Sequence, residues 1–309
     1  MLKSLYSGVS GMKGFQTKLD VIGNNVANVN TVGFKKSRVM FQDIISQNIA
    51  GATAPTTKSG GVNPKQVGLG TKIASVDTIH TPGSPMTTNV GTDLAVDGNA
   101  YFVVSPDNPA TNGASYLTKA GNFTLDSNGD LVNANGFFVT GVVSDAQGNP
   151  RNVKINITED QVATKVVNGV QEHPKFTSYS VDSNGYINVV RDDGVSGKLA
   201  MDQSGKYYVS TGNSNNNISI GTSIVANPGG LKKIGNTLFE STGNSGTSKA
   251  NRIENNSGGQ INSGVLEMSN VDLTEEFTEM IVAQRGFQAN ARTITTSDSI
   301  LEEVVNLKR

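Results

Sequence analysis

Apolar residues recur with a helical period at the two ends of this chain, and not between them. Alternate steps of three and four residues from Leu2 to Val26 meet apolar side chains at six of eight positions. The same steps from Leu273 to Val305 meet them at eight of ten positions. Heptads of this kind predict a helix at each terminus with a coiled-coil seam. We define the predicted seam as Leu2, Leu5, Val9, Met12, Leu19, Leu273, Phe277, Met280, Phe287, Ile294 and Leu301.

The expected ends of these helices follow from capping residues. The C-terminal helix is expected to begin after Asp272, with Glu275 completing a D-x-x-E variant of the capping box, and to run to Leu307. Its length would be about 50 Å at 1.5 Å per residue. Gly33 is expected to mark a turn. The first helix is expected to end within a run of residues that favour C-caps and left-handed backbone: Gly23, Asn24, Asn25, Asn28 and Asn30.

The middle of the chain has the pattern of short antiparallel strands. A turn signature of Asp, two polar residues and Gly recurs in LDSNGDL (125–131), VDSNGYI (181–187) and MDQSGKY (201–207), and each copy predicts a hairpin. Strands are also expected from about Ile73, at 94–96, 101–104, 123–125 and 137–143. The polar stretches 47–70 and 212–230 show neither a helical nor a strand period.

These patterns predict an α+β chain, with long terminal helices forming a coiled-coil-like domain and mainly-β outer domains built from hairpins. Residues 1–30 and 271–309 would form the helical domain, and residues 31–70 an extended connector. Residues 71–143 and 226–270 would form a β-rich domain, into which a hairpin domain at 144–225 is inserted.

Charge and composition exclude several classes of function. A net charge of -1 gives no basic footprint for nucleic acid, and no partner of that kind is expected. Because the chain has no Cys, disulfides, thiolate nucleophiles and cysteine zinc sites are excluded. Neither a membrane-spanning apolar run nor a secretory signal is evident, so membrane insertion is not expected. The protein is expected to be cytosolic or to be exported without a cleaved signal.

The two termini carry opposite charge. Residues 1–38 contain six Lys or Arg and one Asp, whereas residues 272–309 contain four Lys or Arg and seven Asp or Glu. If the helices pair antiparallel, Lys3 is expected near Glu302 and Glu303, and Lys13 near Asp298. Solvated helix faces are the plainer interpretation of any single pair.

No pattern of residues indicates catalysis. The chain has two histidines, His80 and His173, without a metal-binding or triad context. Glycines lack the spacing of nucleotide-binding loops, and most carboxylates lie in turn motifs or on helix faces. We therefore predict no enzyme activity and no catalytic, cofactor or metal site.

Two terminal segments resemble one known family. LDVIGNNVANVNTVGFKKSR at 19–38 contains Asn24, Asn25, Asn28 and Asn30, followed by Gly33 and Phe34, and is similar to the N-terminal signature of the bacterial flagellar rod and hook family. SNVDLTEEFTEMIVAQRGFQANARTITTSDSILEEVVNL at 269–307 resembles that family's C-terminal helix. Residues 93–104 and 116–141 resemble its shared β-domain.

The resemblance implies a self-assembling structural subunit of the extracellular flagellum, exported by the type III apparatus. The C-terminal sequence and the hairpins at 144–225 resemble hook subunits more than distal rod subunits, which tend to lack a second domain. A hook subunit would form a flexible tube that transmits motor torque, with the distal rod, the hook cap and the hook–filament junction proteins as partners. The open alternatives are a distal rod subunit, a secreted β-rich adhesin with oligomerising termini, and a hydrolase with an unrecognised pocket.

Overall fold

The protein is α+β, as predicted, with one long helix at each end and many strands between them. The computed structural model describes residues 2–57, 60–109, 115–144, 149–167, 170–212, 214–256 and 258–307. The chain forms two compact units. Unit 1 comprises Met1–Val29, Lys35–Ile79 and Val271–Arg309, and unit 2 comprises Asn30–Phe34 and His80–Asn270.

The helices are α1 (Leu2–Ala27), α2 (Ile253–Asn256) and α3 (Leu273–Asn306). The strands are β1 (Ser37–Asp43), β2 (Ser46–Ala50), β3 (Lys65–Gly68), β4 (Thr71–Thr78), β5 (Pro85–Thr87), β6 (Leu94–Asp97), β7 (Tyr101–Ser105), β8 (Tyr116–Thr118), β9 (Thr124–Leu125), β10 (Leu131–Val132), β11 (Phe138–Ser144), β12 (Pro150–Lys154), β13 (Lys165–Val167), β14 (Val170–Glu172), β15 (Phe176–Val181), β16 (Ile187–Arg191), β17 (Ser196–Met201), β18 (Tyr207–Ser210), β19 (Ser219–Ile220), β20 (Thr222–Ser223), β21 (Lys232–Gly235), β22 (Leu238–Glu240), β23 (Gln260–Ser263) and β24 (Val265–Glu267).

The helix boundaries in unit 1 follow the capping residues. Helix α1 ends at Ala27, inside the predicted run of glycine and asparagine. Helix α3 begins after Asp272, whose carboxylate accepts hydrogen bonds from Thr274 N at 2.8 Å and Glu275 N at 3.4 Å. These bonds lower the pKa of the Asp272 carboxyl. The predicted N-cap is therefore confirmed.

The segment predicted to be an extended connector is extended, but its strands are paired. Strand β1 pairs antiparallel with β4, and β2 pairs antiparallel with β3. Every residue of β2 and β3 is exposed, so no face of this two-stranded ribbon selects apolar residues at every second position. That exposure explains why residues 47–70 lack a strand period. Sequence reasoning also did not place residues 35–79 in one unit with the helices.

Unit 2 is a β structure made of antiparallel strands. Among the described residues, ten strands form one sheet with the path β21-β22-β8-β7-β11-β10-β9, to which β12, β19 and β20 are joined through β11 and β7. A second sheet has the order β15-β16-β17-β18, and shorter pairs join β13 to β14, β6 to β23 and β5 to β24. The polar stretch 212–230 contributes β19 and β20, which its sequence did not predict.

The three predicted hairpin turns are confirmed. In the first, the Asp126 carboxylate accepts hydrogen bonds from Asn128 N at 2.8 Å and Asp130 N at 2.9 Å. Gly129, Gly185 and Gly205 occupy the same place in the three turns, with φ of 76°, 77° and 85°. This left-handed conformation is available to glycine without the steric cost of a Cβ.

One hydrophobic cluster of unit 2 joins the two β regions that the sequence analysis separated. It contains Phe102 and Val139 from the first region, together with Ile187, Leu199 and Ile220 from the hairpin segment at 144–225. All five side chains are fully buried. The two regions therefore share one hydrophobic cluster. The domain boundary at residue 144 stays a prediction.

Asp160 is a buried carboxylate that fixes the hairpin sheet of unit 2. Its Oδ1 accepts hydrogen bonds from Val162 N at 3.0 Å and Ala163 N at 2.8 Å, and its Oδ2 accepts from Val209 N at 3.1 Å and Arg191 Nη1 at 2.9 Å. Burial acts to raise the pKa of this carboxyl, but the hydrogen bonds from Ala163, Arg191 and Val209 outweigh it and lower the pKa.

We expect Asp160→Asn to lower the free energy of unfolding by about 2 to 4 kcal/mol at neutral pH, because the buried charge that accepts hydrogen bonds from Arg191 and three backbone N–H groups is lost, although Arg191 keeps its ion pair with Asp193. A lowered folded-state pKa contributes stability above the unfolded value of about 3.9 and loses it as the pH falls through the folded value. The difference from the native chain should therefore narrow below about pH 3.9. Urea unfolding followed by near-UV circular dichroism reports on unit 2, which holds six of the seven tyrosines. An equal loss of unfolding free energy at neutral pH and below about pH 3.9 would contradict this role of Asp160.

Candidate self-assembly interface

The two long helices of unit 1 pack antiparallel along most of α1. Ser4 Oγ lies 3.5 Å from Ser297 Oγ near one end. Lys18 Nζ donates a hydrogen bond to Glu279 Oε2, and Asn25 Nδ2 donates to Glu276 Oε2 at 3.1 Å near the other. This register places Asp298 beside the first turn of α1, so the predicted pairing of Lys13 with Asp298 is wrong. Lys3 Nζ donates to Gln47 Oε1 in β2.

Apart from Ile294, the residues that join the helices are not those of the predicted seam. On each helix the contact runs through positions one residue before that seam, which is a rotation of about 100°. On α1 the contact positions include Ser4, Gly8, Gly11, Phe15, Lys18 and Asn25; on α3 they include Glu276, Glu279, Gly286, Asn290 and Ser297. Small and polar side chains therefore form most of the contact inside the chain, with Phe15 packed against Gly286.

Glycines set the close approach of the two helices. A Cβ on Gly8 would lie 3.0 Å from Ile294 Cγ1, and one on Gly11 would lie 2.8 Å from Asn290 Nδ2. A Cβ on Gly286 would lie 2.6 Å from Cζ of Phe15. Side chains at these positions would push the helices apart, since interiors leave little room for additional atoms. The spacing of Gly8, Gly11 and Gly286 was the sequence signal that could have identified this contact.

We expect Gly286→Ala to destabilise unit 1 by about 1 to 2 kcal/mol, because overpacking against Phe15 outweighs the better helix propensity of alanine. Gly23→Ala is the matched control, since nothing lies within 4 Å of the Cβ it would add. That control should stabilise α1 by about 0.5 to 1 kcal/mol. Thermal unfolding followed by far-UV circular dichroism measures both changes. Stabilisation by both substitutions would show that the helices are not tightly packed at Gly286.

Predicted seam residues divide into partly buried and exposed groups. Leu5, Met12, Leu19, Met280, Ile294 and Leu301 are partly buried, whereas Val9, Leu273, Phe277 and Phe287 are exposed. The side chain of Leu2 lies outside the described residues. Of this set, Ile294 touches α1 directly, at Gly8. The assembly role of the whole set stays a prediction.

Asn25 is the buried member of the asparagine motif and joins three segments of unit 1. Its side chain is 1% exposed. Nδ2 donates to Ser37 O at 2.8 Å as well as to Glu276, and Oδ1 accepts from Ser37 N at 3.0 Å. Because all these polar groups are satisfied, the arrangement fixes the end of α1 against β1 and α3.

The other motif residues shape the turn after α1. Asn28 Nδ2 donates to Asn24 O at 2.9 Å, which caps the end of the helix. Asn30 is exposed. In unit 2, Gly33 has φ of 70°, and its N–H donates to Glu267 O at 2.8 Å. The ring of Phe34 lies 5.0 Å from Lys233 Nζ, a cation–π distance.

Unit 1 buries little apolar surface and exposes much of it. In the part of the chain that the structure describes, its buried apolar residues are Ile22 and Ala283, while unit 2 buries the other thirty-five of thirty-seven. Conversely, of the twenty-four large apolar residues that are exposed among the described side chains, nineteen lie in unit 1. Such an excess of exposed apolar surface is typical of a protein–protein interface.

An exposed apolar patch on the first half of α3 has helical spacing. Leu273, Phe277 and Ile281 follow one another at intervals of four residues and are 39%, 50% and 60% exposed. We define these three residues as the outer patch. They lie on one side of α3, rotated away from the contact with α1 that passes through Glu276 and Ala283. The outer patch is available to a neighbouring molecule.

Two structural searches of the described residues bear on other functions. In the described ranges, no cluster of three or more His, Asp or Glu side chains has a geometry able to hold a metal ion. Within the same ranges, no helix combines the length and apolar character needed to cross a membrane.

Three family models match separate parts of the chain. "Flagella basal body rod protein" matches residues 5–35, "Flagellar hook protein FlgE/F/G D1 domain" matches residues 95–189, and "Flagellar basal body rod FlgEFG protein C-terminal" matches residues 262–307. These matches cover the α1 signature, much of the β structure and the whole of α3.

Curated relatives align over the entire chain. The flagellar basal-body rod protein FlgG of Bacillus subtilis is 47% identical over 310 residues, with 100% of both chains covered. The flagellar hook protein FlgE of Borreliella burgdorferi is 34% identical over 450 residues, also with 100% of both chains covered. FlgG of the same organism is 33% identical over 315 residues, again with 100% of both chains covered. The chain therefore belongs to the bacterial flagellar rod and hook family.

Proposed function

We propose that this protein is a structural subunit of the flagellar hook, which self-assembles into a flexible helical tube that transmits motor torque to the filament. The carrying observation is the imbalance in unit 1, whose helices and ribbon expose most of their large apolar side chains and bury two apolar residues in the described chain. Neighbouring copies would cover this surface. A contact between identical copies that does not close produces an open helical polymer.

The terminal helices would complete their packing between copies. Within one chain, α1 and α3 meet mainly through small and polar positions, so the larger seam residues other than Ile294 would remain for a neighbour. Seams of this kind, joined from copy to copy, would form the coiled-coil-like wall of the tube. Because isolated helices gain most of their stability from packing, the helix pair should become better ordered on assembly.

A distal rod subunit is the second candidate, and it fits the relatives at least as well. The hook interpretation relied partly on the hairpins at 144–225, which rod subunits were expected to lack. The Bacillus subtilis rod protein aligns with 100% of this chain over 310 residues and therefore has a counterpart of that segment. These hairpins do not separate hook from rod.

The remaining functional expectations follow from the same proposal. The protein would have a structural role and no enzyme activity, and its relatives are named as rod and hook proteins. Its partners would be further copies of itself, the distal rod, the hook cap, the hook–filament junction proteins and the type III export apparatus. Its place would be the flagellar hook or basal body, outside the cytoplasm.

Electron microscopy of the purified chain under polymerising conditions tests the proposal. The full chain should form tubes, and a fragment of residues 80–270, which lacks unit 1, should remain monomeric. Helical reconstruction then separates the two candidates, since a curved, supercoiled tube indicates hook and a straight, rigid one indicates rod. Monomers from the full chain at all concentrations would favour the β-rich adhesin.

A further inference from the structure

A cavity in unit 2 is lined by uncharged polar side chains. It measures about 290 Å³ and lies between residues 31–32, β8 and the turns at 133–136 and 235–238. Among the described side chains that line it, none is charged and none is aromatic. Four of them are amides: Asn122, Asn133, Asn135 and Asn236. The lining therefore offers many hydrogen-bonding groups and no counter-charge for an ionic ligand.

Asn133 begins a turn of the same kind as the three hairpin turns, but with Asn in the place of Asp. Its Oδ1 accepts hydrogen bonds from Asn135 N at 3.0 Å and Phe137 N at 2.9 Å. Asp126 Oδ1 accepts in the same way from the N–H groups two and four residues further on. The turn therefore uses the side-chain oxygen alone, and a carboxylate would serve it equally well.

The amide nitrogen of Asn133 is not used by the turn. Asn133 is 8% exposed and lines the cavity. Within the described ranges, its Nδ2 has no hydrogen-bond partner in the protein. Buried donors are normally paired, so a donor in this position binds an acceptor supplied from outside the protein. The choice of Asn over Asp thus provides the cavity with a donor that the fold does not need.

A strained turn forms another part of the cavity wall. Strands β21 and β22 are joined by a two-residue loop, in which Asn236 and Thr237 have φ of 52° and 59°. A positive φ is unusual for a β-branched residue such as Thr237. Thr118 Oγ1 donates to Thr237 O at 3.1 Å and holds the turn against β8. Backbone strain that the surrounding structure maintains in this way is common at ligand-binding positions.

The lining favours a neutral ligand that has hydroxyl groups and a secondary amide. Val32 and Ala120 provide small apolar surfaces between the asparagines. An acetamido group has a methyl for such a surface, a carbonyl oxygen that can accept from Asn133 Nδ2, and an N–H that can donate to an amide oxygen. Hydroxyl groups both donate and accept, so a sugar ring can bond to several asparagines at once. A dipeptide of similar size has fewer polar groups to offer them.

We propose that this cavity binds one N-acetylated hexosamine unit of a glycan, with the acetamido oxygen accepting from Asn133 Nδ2. The cavity is near the lower limit of about 300 Å³ for ligand pockets, which suits a single sugar unit. A ligand of this size is expected to bind with a Kd of about 1 mM. The proposal goes beyond the assembly into a tube and does not depend on it.

Saturation-transfer NMR of the full chain with N-acetylglucosamine tests the proposal, at protein concentrations below those at which tubes form. The acetyl methyl protons should receive the largest saturation. Glucose, which lacks the acetamido group, and N-acetyl-alanine amide, a peptide of similar size, should each bind at least about tenfold more weakly. Absence of saturation of N-acetylglucosamine at about 10 mM would overturn the proposal, as would equal binding of glucose or of the peptide.

Asn133→Asp tests the amide nitrogen, because a carboxylate oxygen can still accept from Asn135 N and Phe137 N. Affinity for N-acetylglucosamine should fall at least about tenfold, while the thermal unfolding curve stays that of the native chain. Asn128→Asp is the matched control, since Asn128 is exposed in the Asp126 turn and adds the same charge away from the cavity. Equal affinities of both variants would overturn the role of Asn133.

A second variant covers the case in which Asn133→Asp disturbs folding. Ala134 is exposed and lines the same cavity, so Ala134→Phe should fill it without removing a side-chain hydrogen bond. Binding of N-acetylglucosamine should be lost in this variant, with an unchanged far-UV circular dichroism spectrum. Native affinity in Ala134→Phe would show that the sugar binds elsewhere and would overturn the proposal.

Discussion

Replacing Phe277 and Ile281 together by Asp is expected to abolish tube formation at concentrations where the native chain assembles. Both side chains belong to the outer patch and are half exposed or more in the single chain. Completing their burial against a neighbour would contribute about 1 to 2 kcal/mol each, and a buried carboxylate adds a desolvation cost. The critical concentration should rise at least about 100-fold, since each 1.4 kcal/mol changes it tenfold. Sedimentation and electron microscopy measure the change.

The single chain of this variant should remain folded, which separates an assembly defect from misfolding. Thr278→Asp is the matched control, because Thr278 is exposed on the same turn of α3 but is rotated away from the outer patch. Far-UV circular dichroism of both variants should match that of the native chain. Normal tubes from the double variant would remove the outer patch from the interface.

A charge at Ile294 should act differently from a charge at Phe277. Ile294 Cγ1 lies against Gly8, so Ile294→Asp would disturb the helix pair inside the chain as well as its assembly. Sequence reasoning treated the two positions as equivalent members of one seam. The structure separates them, because one faces α1 and the other faces solvent.

The elements with local signals were predicted well. The N-cap at Asp272, the end of α1 among asparagines and the Asp-x-x-Gly hairpin turns each depend on a few consecutive residues. Their hydrogen bonds are made within those residues, so the sequence alone is sufficient to identify them. The terminal helices also have a strong apolar period, which predicts their existence and length.

The faces of the helices were not predicted, because apolar counting assumes that the largest side chains face the nearest partner. In unit 1 the nearest partner is reached through Gly8, Gly11 and Gly286, which allow a closer approach than leucine would. An apolar count gives such glycines no weight. The assembly role of the larger residues stays a prediction.

The ribbon was missed for a related reason. Its strands bury neither face within one copy. Apolar and polar residues alternate along a strand only where one face of that strand is buried. Asn25 was included in the motif, yet its partners Ser37 and Glu276 are distant along the chain and could not be found from spacing. Both failures concern contacts that only the folded chain brings together.

Asn25→Asp is expected to lower the free energy of unfolding of unit 1 by about 3 to 5 kcal/mol at neutral pH, because it leaves a buried charge without a counter-ion. The new carboxylate would replace the amide nitrogen that lies 3.1 Å from Glu276 Oε2 and 2.8 Å from Ser37 O, so two acceptors would face it, and one of them belongs to a second carboxylate. Repulsion should raise the pKa of one member of the pair above its unfolded value of about 4. The loss should therefore be largest at neutral pH and should diminish as the pH falls below that raised value.

Asn24→Asp is the matched control. It separates the effect of the buried Asn25 hydrogen bonds from the general effect of an acid near a helix C-terminus. Asn24 is exposed on the same turn, and an acid there should cost less than about 1 kcal/mol through the helix dipole. Urea unfolding of both variants at neutral and acidic pH, followed by far-UV circular dichroism, gives the comparison. Asn25→Asp could lose no more free energy of unfolding than Asn24→Asp, or its loss could persist at acidic pH. Either result would mean that Glu276 is not held against the Asn25 side chain. Recovery with acid in Asn25→Asp alone would show that one amide of the asparagine motif joins α1, β1 and α3.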